Sequence, residues 1–591
     1  MQKICRRIDS ADGDLVVDRF NQGSGGVLSV RSQEYYSYFQ DEYKLRPNFT
    51  VTFGTGWTVD TPMVDKSYQN HAMVAFVPGQ QSIVFPNAPV GYVFQGDPGV
   101  HASGQLHPFK YFGPRLGFAY SPDWGGKLFG GPGKTSIRGG YGIYYNRYEE
   151  ELTLQYLGMP PFTVSSAGAG SLTFAGGAAG TPSFANPYVD IAGRGTENNP
   201  FPFSGVVPKN VQFTTAAGYL PLWQACCGTV DPFTVDPMAM NFNLTLERQL
   251  SGSMKLSFGY VGAVAHHLSV GTPVNIPKSL AKLAADCATI AATTTPCDSF
   301  GGATSAFPND YLVDPNTYGP IDQISPRGNS NYNSFQATLE RRLSRGLQFT
   351  ASYTYSHSLD DGSGFENTSF GGGGFGGLGL VRAENPYCLH CDYASSIFDA
   401  RHRFTGTVYY QIPNVSHNPL LSRLTGGWAV ATLPTFSTGF PLDVVETRLL
   451  SYVCQANFSD FACPDVPNLV GPIKTYNPRT THTPSGASLW FSGKKAPDPD
   501  SFAFEAPGTI GNAPRNLFRG PGRNNWDFQL SKDTHINESI FFQLRFEAYN
   551  VFNHTQFNPA GISTNFASSR FGQVRAAYDP RQIQLAAKFY F

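Results

Sequence analysis

Several features that would place this chain in a familiar class are missing from its sequence. There is no run of about 20 apolar residues, which excludes a transmembrane helix. Charged residues are only 14% of the 591 residues, whereas about 25% is usual in soluble domains. Neither sign of charge dominates, because the formal net charge is -1, and nucleic acid is therefore a poor candidate partner. Aromatic residues reach 14%, which excludes a disordered composition.

The amino terminus lacks the apolar core of a signal peptide. Its first eight residues, MQKICRRI, are basic, but no apolar h-region follows them. An exported protein needs such a region. We therefore expect either a misassigned start or the C-terminal part of a longer chain.

Strands with strict two-residue alternation are present instead. In the terminal strand one face carries Ile583, Leu585, Ala587, Phe589 and Phe591. The opposite face carries Gln582, Gln584, Lys588 and Tyr590, with the small Ala586 among them. Such alternation suits a strand with lipid on one side and a polar lumen on the other. A slip of one residue would move polar and charged side chains into lipid, so the register is firmly set.

About thirteen segments have this pattern, each near the length that a tilted strand needs to cross a bilayer. They are 34–43, 49–58, 114–121, 135–146, 241–250, 254–262, 333–343, 347–357, 401–412, 426–438, 525–532, 539–551 and the terminal strand. Short turns join them in pairs, and long loops separate the pairs. These loops are 59–113, 147–240, 263–332, 358–400, 439–524 and 552–580.

Two folds are compatible with alternating strands. A soluble sandwich or propeller would turn the apolar residues towards a core. Loops that alternate between short and long favour an outer-membrane barrel, as do the Tyr and Phe residues that crowd the strand ends. The sequence therefore predicts an all-β protein, a transmembrane antiparallel β-barrel with long extracellular loops and short periplasmic turns. Because bacterial single-chain barrels have an even number of strands, an odd number of strands is expected before residue 34.

The cysteines avoid the strands and lie in local pairs within loops. Such pairs are typical of disulfides in an oxidising compartment. The candidate pairs are Cys287 with Cys297, Cys388 with Cys391, and Cys454 with Cys463. An alternative for Cys388 and Cys391 is half of a zinc site, although no second C-x-x-C completes it.

Enzyme signals are weak. The segment 131–135, GPGKT, lacks the first glycine of a phosphate loop and leads into a strand. His266 and His267 could bind a metal or simply end a strand, and the glutamates at 149–151 could bind cations or start a solvated loop. Asp360 and Asp361 could form an acid/base pair, but adjacent loop carboxylates are rarely opposed correctly. We predict no catalytic residue, no cofactor and no metal site.

Six segments distributed along the chain carry a family resemblance. They are YFQDEYKLRP (38–47), GPRLGFAYSP (113–122), TSIRGGYGIYY (135–145), FDARHRF (398–404), GNAPRNLFRGPG (511–522) and RFEAYNVFNH (545–554). In order and spacing they resemble the C-terminal barrel of TonB-dependent outer-membrane receptors. The resemblance is greatest to the Oar-like group, whose members carry an N-terminal carboxypeptidase-regulatory-like domain.

The resemblance implies a barrel of about 22 strands with a plug, and a TonB box that receives energy from the inner membrane. Residues 1–591 would be the C-terminal portion of such a barrel, without its signal peptide, plug and first strands. The implied function is energised uptake of a large solute at the cell outer membrane. Aromatic and amide-rich loops suit an oligosaccharide, and a siderophore-like iron chelate is the other candidate. The alternatives are an adhesion or structural barrel, a plugless porin, and a soluble glycan-binding β-protein.

Several charged residues are candidates for the lumen. Asp399, Arg401 and Arg403 alternate at the start of a strand and could face a plug together, or they could pair only with neighbouring strands. Arg545 and Glu547 share one face and could pair within the wall.

Expected partners are outer-membrane lipid, TonB through the missing N-terminal part, and the barrel-assembly machinery. We interpret Phe589, Tyr590 and Phe591 as the C-terminal assembly signal.

Overall fold

The computed structural model describes the segments that contain the predicted strands, together with parts of the loops. It covers residues 33–60, 74–100, 111–146, 207–213, 229–289, 306–312, 321–363, 385–446, 450–453, 465–492 and 501–591, except 417, 538 and 539, and short pieces at 6–8, 15–17, 21–23, 30–31, 64–65, 161, 163–165, 303 and 448.

Thirteen long strands form the main sheet within these residues, and the predicted number is confirmed. They are β1 (Glu34–Arg46), β2 (Phe49–Asp60), β3 (Tyr111–Tyr120), β4 (Thr135–Tyr145), β5 (Met238–Gln249), β6 (Met254–Pro273), β7 (Asp322–Ser344), β8 (Leu347–Asp360), β9 (His402–Gln411), β10 (Trp428–Ser437), β11 (Arg523–His535), β12 (Phe541–Tyr549) and β13 (Gln582–Tyr590). Each pairs with the next one in an antiparallel meander.

The remaining elements are short. The helices are α1 (Gly126–Phe129), α2 (Leu280–Ala288) and α3 (Pro419–Thr425), with 3₁₀ turns at Pro308–Asp310, Leu389–Asp392 and Pro559–Gly561. The short strands are Arg6–Ile8, Leu15–Val17, Asn21–Gly23, Val30–Arg31, Val64–Asp65, Val74–Phe76, Tyr92–Phe94, Thr163–Ser165, Thr229–Val230, Ala394–Ser395, Pro441–Leu442, Asn468–Leu469, Lys474–Thr475, Phe491–Ser492, Phe502–Ala503 and Phe518–Arg519. None of the helices in the described segments is both long enough and apolar enough to cross a membrane.

Two strands are longer than the sequence pattern predicts by ten residues or more. β6 and β7 continue to pair as far as Pro273 with Asp322, through register shifts near Leu268. His267 has a positive φ of 61° at this irregularity, which is typical of a bulge. The sequence predicts a strand that ends at Gly262 and a long loop at 263–332, but the pairing continues through the bulge and the hairpin extends outward. His266 Nδ1 lies 2.8 Å from Asn329 Oδ1 on β7, so this pair belongs to the strand hairpin.

One face of the sheet is apolar across all thirteen strands. Since residues that pair directly in neighbouring strands lie on the same face, the register identifies the members of that face. Opposed pairs are Tyr43 with Val51, Phe53 with Leu116, Leu116 with Tyr141, Tyr141 with Phe242, Leu246 with Phe258, Tyr260 with Phe335, Phe335 with Tyr355, Tyr353 with Phe404, Phe404 with Phe436, Val430 with Leu530, Leu530 with Phe546 and Phe546 with Leu585.

The other face is polar and carries ion pairs between adjacent strands. Arg138 of β4 lies 3.8 Å from Glu247 of β5, and Lys255 of β6 lies 3.4 Å from both Glu247 and Glu340 of β7. These side chains are partly exposed, so each pair contributes little to stability. Their arrangement nevertheless shows that charge is collected on the face opposite to the aromatic residues.

The sheet is open at β1 and β13. In the described residues β1 has a register with β2, and β13 has one with β12. Both strands are exposed on their two faces, with Tyr38 at 72% and Leu585 at 78% exposure. An edge strand of a sheet has a neighbouring strand on one side only, which explains this exposure. Asp41 is an exception in β1, because it lies opposite Phe53 on the apolar face.

Short turns lie at one end of the sheet and long connections at the other. The turn between β7 and β8 is formed by Arg345 and Gly346, with φ values of 52° and 76°, as a type I′ hairpin turn requires. A Cβ at Gly346 would also meet the Gln411 carbonyl oxygen at 2.8 Å. The carboxyl terminus lies at this end of the sheet.

Two of the long connections pack together in the residues that the structure describes. We call the described residues of 438–522 and 550–581 the outer unit. Phe491 is fully buried there, with ring centroids 4.6 Å from Phe518 and 4.9 Å from Phe571. The buried core is Leu442, Val444, Val466, Phe491, Phe502, Ala513, Ile562, Phe566 and Phe571. The phenylalanines of these loops therefore build a core, whereas the glycine-rich segment 371–379 lies outside the described residues.

The two faces of β5 give a matched test of the membrane assignment. Leu244 is 49% exposed on the apolar face, and the adjacent Asn243 lies on the polar face. We expect Leu244→Arg to lower the free energy of unfolding by about 2–4 kcal/mol, because a cation is placed in lipid. Asn243→Arg should stay within about 0.5 kcal/mol of the wild type. Denaturant titration of the chain folded into lipid vesicles measures both variants, and equal costs would contradict the assignment.

Candidate functional site

Two of the segments that carry the family resemblance meet at the outer end of the sheet. Asp399 precedes β9 and is 2% exposed. Its carboxylate bonds to the Arg519 guanidinium and lies 3.3 Å from Arg401 Nε. It also accepts the Ser358 N–H at 2.8 Å. Because Arg519 lies in the outer unit, this ion pair attaches that unit to the wall.

A second arginine, which is buried, makes a parallel attachment. Arg515 Nη2 lies 2.6 Å from Asp360 Oδ1, and the two side chains are 1% and 4% exposed. Arg515 also donates to the Asp392 carbonyl at 2.8 Å and to Ser363 Oγ at 3.1 Å. Asp360 pairs with Ser330 on the polar face of β8, so segment 511–522 is drawn inward over the lumen side of the sheet.

The predicted lumen residues have different environments. Asp399 is engaged by Arg519, which lies in a loop and not in a neighbouring strand. Arg401 Nη2 lies 2.7 Å from His357 Nε2. Arg403 is exposed on the polar face between Thr354 and Ser437.

Arg545 and Glu547 also lie on the polar face. Arg545 Nε donates to Gln543 Oε1 at 2.6 Å, and the pairing of Arg545 with Glu547 stays a prediction. Glu547 lies opposite Gln529 and Gln584. Contact of these residues with a plug stays a prediction.

Arg515 and Arg519 are the functional residues that sequence reasoning missed. Their signal was present, since both lie in the segment GNAPRNLFRGPG that carries part of the resemblance. Two arginines four residues apart in an otherwise uncharged motif need carboxylate partners if the motif is buried. Nothing in the sequence identified those partners, because Asp360 and Asp399 are more than 100 positions away.

The segments considered for catalysis have structural partners. Asp360 binds Arg515, whereas Asp361 Oδ2 accepts the Asn329 N–H at 2.8 Å. The two carboxylates are therefore engaged separately. Thr135 Oγ1 donates to the Phe129 carbonyl at 2.8 Å and starts β4. The glutamates at 149–151 lie outside the described residues.

One candidate disulfide lies within the described residues, and a second lies partly within them. Cys388 and Cys391 are joined, with Cα atoms 5.3 Å apart, so neither is a free thiolate for zinc. Their 3₁₀ turn carries Asp392, whose carbonyl binds Arg515. Cys287 is also disulfide-bonded. Cys297, Cys454 and Cys463 lie outside the described residues.

The aromatic terminus continues the alternation of β13. Phe589 lies opposite Phe542 on the apolar face, and Tyr590 stacks on Phe541 with centroids 4.2 Å apart. Phe591 is 93% exposed. Its role in assembly stays a prediction.

A cleft opens between the two connections of the outer unit and is the best candidate for ligand binding. Its volume is about 390 Å³. Aromatic, amide and basic side chains line it together, a combination that suits small-molecule recognition. The lining residues are Thr475, Tyr476, Asn477, Pro478, Arg479, Trp490, Pro521, Gly522, Asn524, His554, Thr555, Gln556 and Phe557.

The walls of the cleft are fixed by hydrogen bonds. Arg479 donates to the Thr555 carbonyl at 2.7 Å and lies 5.8 Å from the Phe557 ring centroid. Trp490 Nε1 donates to the Arg519 carbonyl at 3.0 Å, which couples the cleft to the attachment at Asp399. Tyr476 Oη is buried without a hydrogen-bond partner among the described residues.

Arg515 provides a test of the attachment. Arg515→Met should lower the free energy of unfolding by about 3–5 kcal/mol, since Asp360 is left buried without its partner. Adding Asp360→Asn should recover part of this loss. The exposed Arg575→Met is the control and should stay within about 0.5 kcal/mol. Thermal unfolding and limited proteolysis of the outer unit measure the effect, and an Arg515 variant as stable as the control would show that the ion pair is dispensable.

Comparison with known proteins identifies the family to which the fold belongs. The model of a family described as an outer membrane beta barrel domain matches residues 15–584. Among curated proteins there is no match.

Solved structures show a distant likeness. The outer membrane transporter YddB from Escherichia coli is 9% identical, with a TM-score of 0.42 over 95% of this chain and 45% of that chain. The ferripyoverdine receptor of the outer membrane of Pseudomonas aeruginosa is 9% identical, with a TM-score of 0.37 over 95% and 39%. The ferric-catecholate import receptor Fiu from E. coli K12 is 11% identical, with a TM-score of 0.37 over 98% and 47%.

The chain spans less than half the length of these solved structures, and likeness at this level carries no argument about ligands. The family match, by contrast, covers nearly the whole sequence and agrees with a sheet that is apolar on one face and charged on the other. The predicted outer-membrane location is thereby confirmed, and the chain belongs to the outer membrane beta barrel domain family.

Proposed function

We propose that this chain is the barrel portion of an energised uptake protein, of the TonB-dependent receptor type, that imports a large solute across the outer membrane. The observation that carries the proposal is the inward attachment of a folded outer unit over the polar face of a wide sheet. Thirteen strands already exceed the about eight whose interior side chains can fill. Such a lumen must therefore hold water or a plug.

Charge on the polar face supports a plugged lumen. Arg403 and Glu547 lie on that face away from any ion pair in the described structure, and Arg545 is held there by Gln543. In this proposal these residues contact a plug, and TonB acts on the plug. The barrel-assembly machinery would insert the barrel through the terminal strand.

The cleft of the outer unit supports an oligosaccharide as the captured solute. Sugar rings stack on aromatic faces, here Tyr476 and Phe557, while their hydroxyl groups bond to amides such as Asn477. Arg479 and His554 would suit the acidic groups of an iron chelate, which is the second candidate. Both ligands would be passed from the cleft to the lumen beside segment 511–522.

Transport, adhesion and passive diffusion predict different results in intact cells. A strain without the gene and its complemented partner are given fluorescent maltooligosaccharides and, separately, radiolabelled ferric citrate. We expect complementation to restore uptake of one probe, and a protonophore to abolish it. Binding without uptake would favour adhesion. Uptake that resists the protonophore, together with steady conductance in planar bilayers, would favour a porin.

The cleft gives a variant test of the capture site. Tyr476→Ala should raise the concentration for half-maximal uptake about tenfold, since stacking of about 1.4 kcal/mol is lost. Phe552→Ala is the matched control, because Phe552 is exposed on the same connection as Phe557 but does not line the cleft. Concentration dependence of uptake is the measurement, and equal effects of both variants would remove the cleft from the proposal.

A further inference from the structure

Three buried carboxylates converge inside the outer unit, away from the cleft. Glu446, Asp465 and Glu505 are 2%, 3% and 2% exposed. One oxygen from each can be chosen so that all lie within 4.8 Å of one another. The three residues come from separate parts of segment 438–522, and Asp465 and Glu505 directly adjoin the buried core at Val466 and its packed neighbour Phe504.

Backbone groups hold two of these carboxylates in position. Glu446 N donates to the Asp465 carbonyl at 2.7 Å, and Glu446 Oε2 accepts the Arg448 N–H at 2.7 Å. Asp465 Oδ2 accepts the Ser451 N–H at 2.9 Å. The chain thus fixes the arrangement of oxygens before any ligand arrives.

Glu505 supplies a second, independent observation. Both of its carboxylate oxygens are buried without a hydrogen-bond partner among the described residues. An unpaired buried carboxylate is among the most costly groups in a protein interior. No described cation forms an ion pair with Glu505 or Asp465. The nearby Arg448 guanidinium lies 3.8 Å from the centroid of the Phe504 ring.

The electrostatic environment of the three carboxylates shows that the cluster lacks a positive charge among the described residues. Burial, followed by the charge of Asp465, raises the pKa of Glu505 to about 9. Burial and the charge of Glu446 raise the pKa of Asp465 to about 7. Burial therefore disfavours the charged form of these carboxylates as long as no cation lies beside them.

The geometry and the donor set select the cation. All donors are carboxylate oxygens, which suit a hard cation and not zinc or copper. Ca²⁺ binds oxygen at about 2.3–2.6 Å, so ligands on opposite sides of it are about 4.6–5.2 Å apart. The three carboxylate oxygens, all within 4.8 Å of one another, are close enough to bind one such ion together. Mg²⁺ requires shorter bonds and usually keeps several waters, which a buried site provides poorly.

We propose that Glu446, Asp465 and Glu505 bind a Ca²⁺ ion that cross-links three parts of the outer unit. The ion neutralises most of the buried negative charge and supplies the partner that Glu505 lacks. By joining residues 446, 465 and 505 it holds the loops around the core of Phe491 and Phe502. The proposal concerns this chain alone and does not depend on what the protein transports.

Calcium titration of the 591-residue chain tests the site directly. The protein is folded in detergent, stripped with EGTA, desalted and titrated with CaCl₂ by calorimetry. We expect a single Ca²⁺ per chain, a higher thermal midpoint and slower proteolysis of segment 438–522. The absence of binding heat and of protection would overturn the proposal. Equal affinity for Mg²⁺ would overturn the assignment to calcium.

A matched pair of variants separates metal binding from a structural role. Glu505→Gln keeps the size of the side chain and removes its charge, so affinity for Ca²⁺ should fall at least about tenfold. Glu340→Gln on the polar face should bind as the wild type does. In EGTA, Glu505→Gln should unfold no earlier than the wild type, because it removes a buried charge. Wild-type affinity in Glu505→Gln, or an equal loss of stability with and without calcium, would overturn the proposal.

Discussion

The hydrogen-bond register of the thirteen strands is the constraint on which the rest of the molecule depends. Because side chains alternate, a single register places Phe53, Leu116 and Tyr141 together on one face and the ion-paired Lys255 on the other. A shift of one residue in any strand would exchange the two faces and bring charge into lipid. Neighbouring strands thus fix one another, and the pattern extends from β1 to β13 with Asp41 as an exception.

Buried ion pairs connect this wall to the loops above it. Asp360 and Asp399 lie where the polar face of the sheet ends. Arg515 and Arg519, both in segment 511–522, form ion pairs with them. Buried pairs of this kind add little net stability, but the loss of one partner is costly. Their contribution is therefore positional: they hold the outer unit at the mouth of the lumen, where Trp490 links it to the cleft.

Inside the outer unit the aromatic core and the carboxylate cluster are complementary. Rings such as Phe491 and Phe502 exclude water, and the same exclusion raises the pKa of Glu505. A cation between the three carboxylates would offset the cost of burying their charge, and it would also cross-link the segments that carry them. Two kinds of interaction would then hold these loops together: apolar packing in the phenylalanine core and the ionic contacts of the carboxylates with the cation.

The sequence by itself determined the strands, their number and the face that each residue occupies, because alternation is a local property of an extended chain. It did not reveal the length of β6 and β7, since the bulge at His267 hides the continued pairing. Nor did it reveal the contacts of Arg515 with Asp360 or the meeting of Glu446 with Glu505. Those depend on how distant connections pack over the sheet. Periodicity carries no information about such contacts, and only the tertiary structure decided them.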